Sequence, residues 1–127
     1  MIKKILIVED EDDIFELLNA IFSNSVDYEV LWAKDGHEAL KIAQVENPAI
    51  ILLDVQLPGL SGYEVCRLIK SNPALSNVRI LMLSGMTQYQ DCQKAQEAGA
   101  DDYVTKPFSS YTLLNKVEEL LTCNGKG

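Results

Sequence analysis

The chain has 127 residues, enough for one domain that buries about two-thirds of the surface its unfolded form would expose, so it can fold without staples. A net charge of −8 argues against a footprint on a nucleic-acid backbone, which needs clustered Lys and Arg, and no apolar run approaches the ~20 residues of a membrane span. Three cysteines, Cys66, Cys92 and Cys123, without CxxC spacing read as free thiols in a reducing compartment, and with no signal peptide ahead of Ile2 the expected location is cytoplasmic.

Lys3 to Val8 is an apolar run that reads as the first strand. Glu9 and Asp10 follow it directly and should emerge at its carboxyl end. Glu11, Asp12 and Asp13 suit the first turn of a helix, where the helix dipole favours acids, with Asp12 or Asp13 as the expected cap. That helix carries Ile14, Leu17, Leu18, Ile21 and Phe22 on one stripe and closes near Ser23-Asn-Ser25. Tyr28 to Trp32 alternates less regularly and looks like a strand nearer the sheet's edge, with Trp32 as packing there. Asp35-Gly-His-Glu38 has the spacing of a capping box for a second helix, bearing Ala39, Leu40, Ile42 and Ala43 and ending before Pro48. His37, the sole histidine, reads as a solvated helix-start residue.

Ile50 to Leu53 is apolar throughout, as in a strand covered on both faces, and runs straight into Asp54 and the turn residues Pro58, Gly59 and Gly62. Ser61-Gly-Tyr-Glu64 offers another capping box, for a third helix with a stripe of Val65, Leu68 and Ile69, stopped by Asn72-Pro73. A fourth strand is expected over Val78–Leu83, a fourth helix over Gln88–Ala98 capped by Gly99, and a fifth strand over Asp102–Thr105. Ser109 or Ser110 opens a last helix with Leu113, Leu114, Val117, Leu120 and Leu121. Five β–α units in strict alternation imply an α/β fold, a doubly wound five-stranded parallel sheet with helices on both faces. The expected organisation is one domain over residues 1–122 and a flexible tail over 123–127.

Open parallel sheets bind ligands beyond the carboxyl ends of their strands. Glu9 and Asp10 follow the first run, Asp54 the third, Ser84 the fourth and Lys106 the fifth, so all should converge on one edge. Three carboxylates there would repel one another unless a cation sits among them, and all-oxygen ligation without His or Cys suits Mg²⁺. A metal, an ammonium and a hydroxyl facing a carboxylate suit phosphoryl transfer, with Asp54 as the nucleophile that becomes an aspartyl phosphate. Any one of these residues alone is better read as a turn, a cap or a surface ion pair. Their joint placement at successive strand ends makes that reading weak.

The chain resembles the receiver domains of two-component response regulators. The resemblance rests on Ile5-Leu-Ile-Val-Glu-Asp-Glu11, Asp35-Gly36 with Glu38-Ala39-Leu40, Leu52 to Glu64, Leu83-Ser84 and Ala98 to Phe108, and runs from Lys4 to about Leu121. It implies a flavodoxin-like sheet of order 2-1-3-4-5, Asp54 as phosphoacceptor, and Mg²⁺ bound by Asp10, Asp54 and the Gln56 backbone carbonyl, with Glu9 acting through water. Ser84 and Lys106 would contact the phosphoryl group, and Lys106-Pro107 would be a cis peptide. Ser84 and Tyr103 would form the switch that remodels the surface of the fourth helix, fifth strand and fifth helix. That surface would serve an effector or a homodimer, and the phosphoryl donor would be a sensor histidine kinase or a phosphotransfer protein. Such a domain is an acceptor switch rather than an enzyme, without direct nucleic-acid or membrane contact. Gln56 and Met86 fall where family members tune self-dephosphorylation. Two departures stand out: Glu9 where many receivers have Asp, and Gly85 where Ala is frequent.

Three rival readings remain. A haloacid dehalogenase-like phosphatase needs a second acid two residues after its nucleophile, where this chain has Gln56. A flavodoxin-like FMN carrier needs a hydroxyl- and glycine-rich loop after the first strand, where this chain has Glu9 to Asp13. A phosphorylation-independent receiver-like binding module would not need the intact set Asp10, Asp54, Ser84 and Lys106. The chain ends at Gly127 without an effector, which leaves output to a partner or to residues outside it.

Overall fold

The structure, a computed structural model, describes residues 2–24, 26–85, 89–106 and 108–122, with 89–92 as helix backbone only. Five strands, β1 (Lys3–Val8), β2 (Tyr28–Ala33), β3 (Ile50–Asp54), β4 (Arg79–Ser84) and β5 (Asp102–Thr105), form one parallel sheet of order β2-β1-β3-β4-β5. The intervening helices are α1 (Asp12–Ser23), α2 (Gly36–Glu46), α3 (Gly62–Lys70), α4 (Tyr89–Ala98) and α5 (Ser110–Thr122), with a 3₁₀ turn at Pro73–Leu75. The doubly wound sheet expected from the alternating pattern is therefore present, in the order the resemblance implied.

Side chains of a strand alternate between faces, and here the alternation divides the core in two. Ile5, Ile7, Ile50, Leu52, Leu81 and Leu83 pack with Leu18 and Phe22 of α1 and with Leu113, Val117 and Leu121 of α5. Leu6, Val8, Ile51, Leu53, Ile80 and Met82 pack on the opposite face with Ala39 and Ala43 of α2, Val65, Cys66 and Ile69 of α3, and Ala95 and Ala98 of α4. Every residue of β3 is buried, as its unbroken apolar run requires.

The helix stripes are corrected at their edges. Leu17 and Leu68 are about half exposed, while Cys66 takes the buried position on α3. Helices α1 and α3 each cover the sheet along a sector narrower than the apolar stripe, so a residue at the stripe's margin faces water. The α1 cap is Glu11 rather than Asp12 or Asp13, and its side chain makes no capping bond; the two aspartates occupy the first turn. On α2 half of the expected box forms: Asp35 accepts from the Glu38 N–H at 2.8 Å, but Glu38 Oε1 accepts from the Lys34 N–H at 2.7 Å, one residue earlier than a capping box would place it. The α3 box closes in both directions, Ser61 with Glu64. Ser109 caps α5, its hydroxyl oxygen accepting from the Thr112 N–H at 3.0 Å. The fourth strand runs one residue later than expected, so Ser84 is its last residue.

The far end of α4 is fastened to β4 through Asp101. Its N–H donates to the Ile80 carbonyl at 2.9 Å, and its Oδ2 accepts from the Ile80 N–H at 2.7 Å and from Lys70 Nζ at 2.8 Å. Gly99, at φ +96, makes the turn between α4 and this anchor. No helix among the described residues is long and apolar enough to cross a membrane. Gln88 as the start of the fourth helix, Met86, the Lys106-Pro107 peptide, the Cys92 side chain, Cys123 and the expected tail 123–127 lie outside the described residues.

Candidate functional site

The chain leaves β1 outward to β2 and returns across β1 to β3, so the connections from β1 and β3 diverge at their carboxyl ends and open a crevice between them. Glu9 and Asp10 lie at one side of it and Asp54 at the other. Ligand oxygens of Glu9, Asp10 and Asp54 all fall within 4.8 Å of one another, a convergence the sequence pattern anticipated. Glu9 and Asp54 are buried, at 1% and 5% exposure, and Asp10 faces solvent.

Asp54 is held from three sides. Its carboxylate Oδ1 accepts from the Gln56 backbone N–H at 3.1 Å, and Oδ2 lies 3.4 Å from Lys106 Nζ. Behind it, the start of α3 presses onto the end of β3: the Gly62 N–H donates to the Val55 carbonyl at 2.9 Å, and a Cβ at position 62 would fall 2.2 Å from the Asp54 carbonyl oxygen. Only glycine permits that approach. Lys106 follows β5, and its N–H donates to the Ser84 carbonyl, which fixes the lysine's origin against the end of β4. Ser84 itself is buried one residue beyond the Asp54–Leu83 register pair, and Tyr103 is half-buried on β5.

Charge in the crevice is unbalanced. Among the described residues one ammonium, Lys106 Nζ, faces the buried carboxylates, 3.4 Å from Asp54 and 3.9 Å from Glu9 Oε1. Glu9 Oε2 accepts from the Glu11 N–H at 3.2 Å, but Oε1 is buried with no hydrogen bond among the described residues. Burial, and next the negative charge of Asp54, push the Glu9 carboxyl up to about 7, against the pull of the Glu11 N–H and Lys106. A buried carboxylate oxygen without a donor, beside two further carboxylates, is the donor set of a hard divalent cation, and Glu9, Asp10 and Asp54 could hold one.

Two residues, Gly62 and Trp32, and one further role, that of the Gln56 N–H, were not legible in the sequence. The Gln56 N–H and Gly62 support Asp54, and Trp32 Nε1 donates to the Glu9 carbonyl at 2.9 Å. The glycine had a signal, since it stands inside the Ser61–Glu64 box directly after the Asp54 loop. Cys66 plays no part: it is a free buried thiol that donates to the Ala98 carbonyl, and burial raises it to about 11.

A parallel 2-1-3-4-5 sheet with an acidic, lysine-bearing crevice at its switch point defines a flavodoxin-like fold whose crevice gathers three carboxylates and an ammonium. The response regulator receiver domain family matches residues 5–118, and the chain belongs to it. It is similar to the alkaline phosphatase synthesis transcriptional regulatory protein PhoP of Bacillus subtilis, 44% identical over 95% of this chain and 49% of that protein. The chain spans about half the length of the curated relatives it matches. Among solved structures, a putative response regulator from Chloroflexus aurantiacus superposes with a TM-score of 0.91 at 34% identity, over 96% of this chain and 99% of that one. The receiver domain of the sensor histidine kinase PA1611 from Pseudomonas aeruginosa, with magnesium in its active-site cleft, has a TM-score of 0.87 at 28% identity, over 96% of this chain and 99% of that one. Receiver domains are typically signalling domains rather than enzymes.

Proposed function

We propose that this receiver domain is a Mg²⁺-dependent phosphoacceptor switch in which Asp54 takes a phosphoryl group from the phosphohistidine of a sensor histidine kinase or phosphotransfer protein. The observation that carries the reading is the Asp54 carboxylate, buried at the end of β3 with Lys106 Nζ at 3.4 Å and the undonated Glu9 oxygen close by. Asp10 and Asp54 would hold the ion with the Gln56 carbonyl, and Glu9 would act through water. When bound, Mg²⁺ offsets the repulsion between these carboxylates and the phosphoryl oxygens.

In the transfer, a carboxylate oxygen of Asp54 forms the new P–O bond as the P–N bond to imidazole breaks, and the imidazole leaves with its electron pair. Gln56 N–H and Gly62 keep the Asp54 carboxylate at the strand end. Lys106 stabilises the charge on the transferred group, and the Ser84 hydroxyl donates to one of its oxygens. The product carries about −2 in place of −1. Ser84 is drawn toward it, Tyr103 follows from the face of β5, and the α4, β5 and α5 surface is reshaped for an effector protein, an effector domain or a second copy. Residues 1–122 form this unit in the cytoplasm, and catalysis is confined to the domain's own phosphorylation and dephosphorylation. The PhoP relative is named a transcriptional regulator, so an output in transcription is proposed through such an effector, not through this acidic domain.

Incubation with MgCl₂ and acetyl phosphate, followed by intact mass, tests the reading. One base-labile phosphoryl adduct is expected, absent with EDTA and absent in Asp54→Asn. An adduct that persists in Asp54→Asn, or none in the wild type, overturns it, and the latter would favour a binding module that works without phosphate.

A further inference from the structure

Trp32 lies next to last on β2, in register with Ile7, and its side chain reaches both the turn after β1 and the first turns of α1. Its Nε1–H donates to the Glu9 carbonyl at 2.9 Å, while the Glu9 N–H donates to the neighbouring Ala33 carbonyl at 3.0 Å. Both backbone polar groups of Glu9 are thus held by consecutive residues of one strand. The indole face stacks on Phe15 of α1, ring centroids 3.9 Å apart and planes 3° from parallel. Phe15 in turn closes the first turn of α1, its N–H donating to the Glu11 carbonyl at 3.0 Å. Asp10 stands between these two fixed points.

The Glu9 carbonyl belongs to the Glu9–Asp10 peptide plane. Rotation of that plane re-aims the Cα–Cβ bond of Asp10, whose side chain is solvent-exposed. We propose that Trp32 is a positioning residue for the divalent-cation site: its Nε1–H locks the Glu9–Asp10 peptide and its ring props the start of α1, so that the carboxylates of Glu9 and Asp10 are set before the ion arrives. This rests on the metal reading of the crevice given above. Preset ligands spare the ion the cost of ordering them, which is why groups behind a metal's ligands affect its affinity. A phenylalanine would keep the stack and lose the donor; tryptophan supplies both.

Calorimetric titration of the metal-free full chain with MgCl₂ tests this. The Kd is expected to rise about tenfold in Trp32→Phe. Leu121→Ala, which loosens the core at the end of α5 away from the crevice, should keep the wild-type Kd despite its lower urea midpoint, so that affinity is separated from stability. In the wild type, the indole N–H resonance of this single tryptophan should move with the same Mg²⁺ midpoint as the heat, and stay still in Asp10→Asn. Wild-type affinity in Trp32→Phe, with binding still lost in Asp10→Asn, overturns the positioning role and leaves the metal site standing. A wild type that takes up no Mg²⁺ overturns the metal reading and this inference with it. Should Trp32→Phe fail to fold, replacing the indole N–H by sulfur with a benzothienylalanine side chain removes the donor alone, and the same criterion on Kd applies.

Discussion

Glu9 has a buried oxygen without a donor and Asp54 as its neighbour, and both disfavour its charged form. The folded chain therefore holds a proton, up to about pH 7, that the unfolded chain releases near the ordinary 4.5. With no metal bound, the Glu9 contribution to stability is therefore greatest below pH 4.5, falls as pH rises through the window from 4.5 to 7, and carries its full penalty above it, about 3 kcal/mol at most. In EDTA, Glu9→Gln should exceed the wild type by about 1–3 kcal/mol in urea denaturation at pH 8 and match it at pH 4.5. A wild type that is the more stable of the two at pH 8 would contradict this. The acidic residue types and their convergence were legible in sequence, because each follows an apolar run. The imbalance among them was not: which oxygen lacks a donor depends on where Glu11 and Lys106 come to lie.

At the scale of elements, α3 docks on β3 so closely that its first residue has no room for a side chain. Gly62→Ala would force backbone apart, with Cβ 2.2 Å from the Asp54 carbonyl oxygen, and should cost about 1–3 kcal/mol in urea denaturation while reducing phosphoryl uptake at Asp54. Gly36→Ala meets side chains instead, Val65 Cγ2 at 2.6 Å and Leu60 Cβ at 3.0 Å, and should leave uptake near normal. Strands and helices were legible because periods of 2 and 3.6 leave distinct marks. The margins of the stripes were not, since the choice of Cys66 over Leu68 depends on what α3 meets, including the Ala98 carbonyl of α4. The Trp32 bond to the Glu9 carbonyl also escaped, because no local pattern reveals a side chain that reaches from an edge strand into the neighbouring loop.

At the scale of the molecule, the alternation of five β–α units gave the class of fold, but strand order came with the resemblance: local periodicity carries no information about which strand lies beside which. The order matters because it puts the crevice between β1 and β3. An ion bound there by the folded state alone must stabilise the whole chain. Mg²⁺ at about a hundred times its Kd should add about 3 kcal/mol to unfolding, read as a rise in melting temperature that Asp10→Asn lacks.

The Asp101 anchor has a mechanical corollary. It moors α4 at the opposite edge of the sheet from Asp54, with Lys70 Nζ and the Ile80 backbone as the cleats. With Ala95 and Ala98 seated in the core beside this mooring, a displacement of α4 would be smallest next to Asp101 and grow with distance from it, as along a lever whose fulcrum is there.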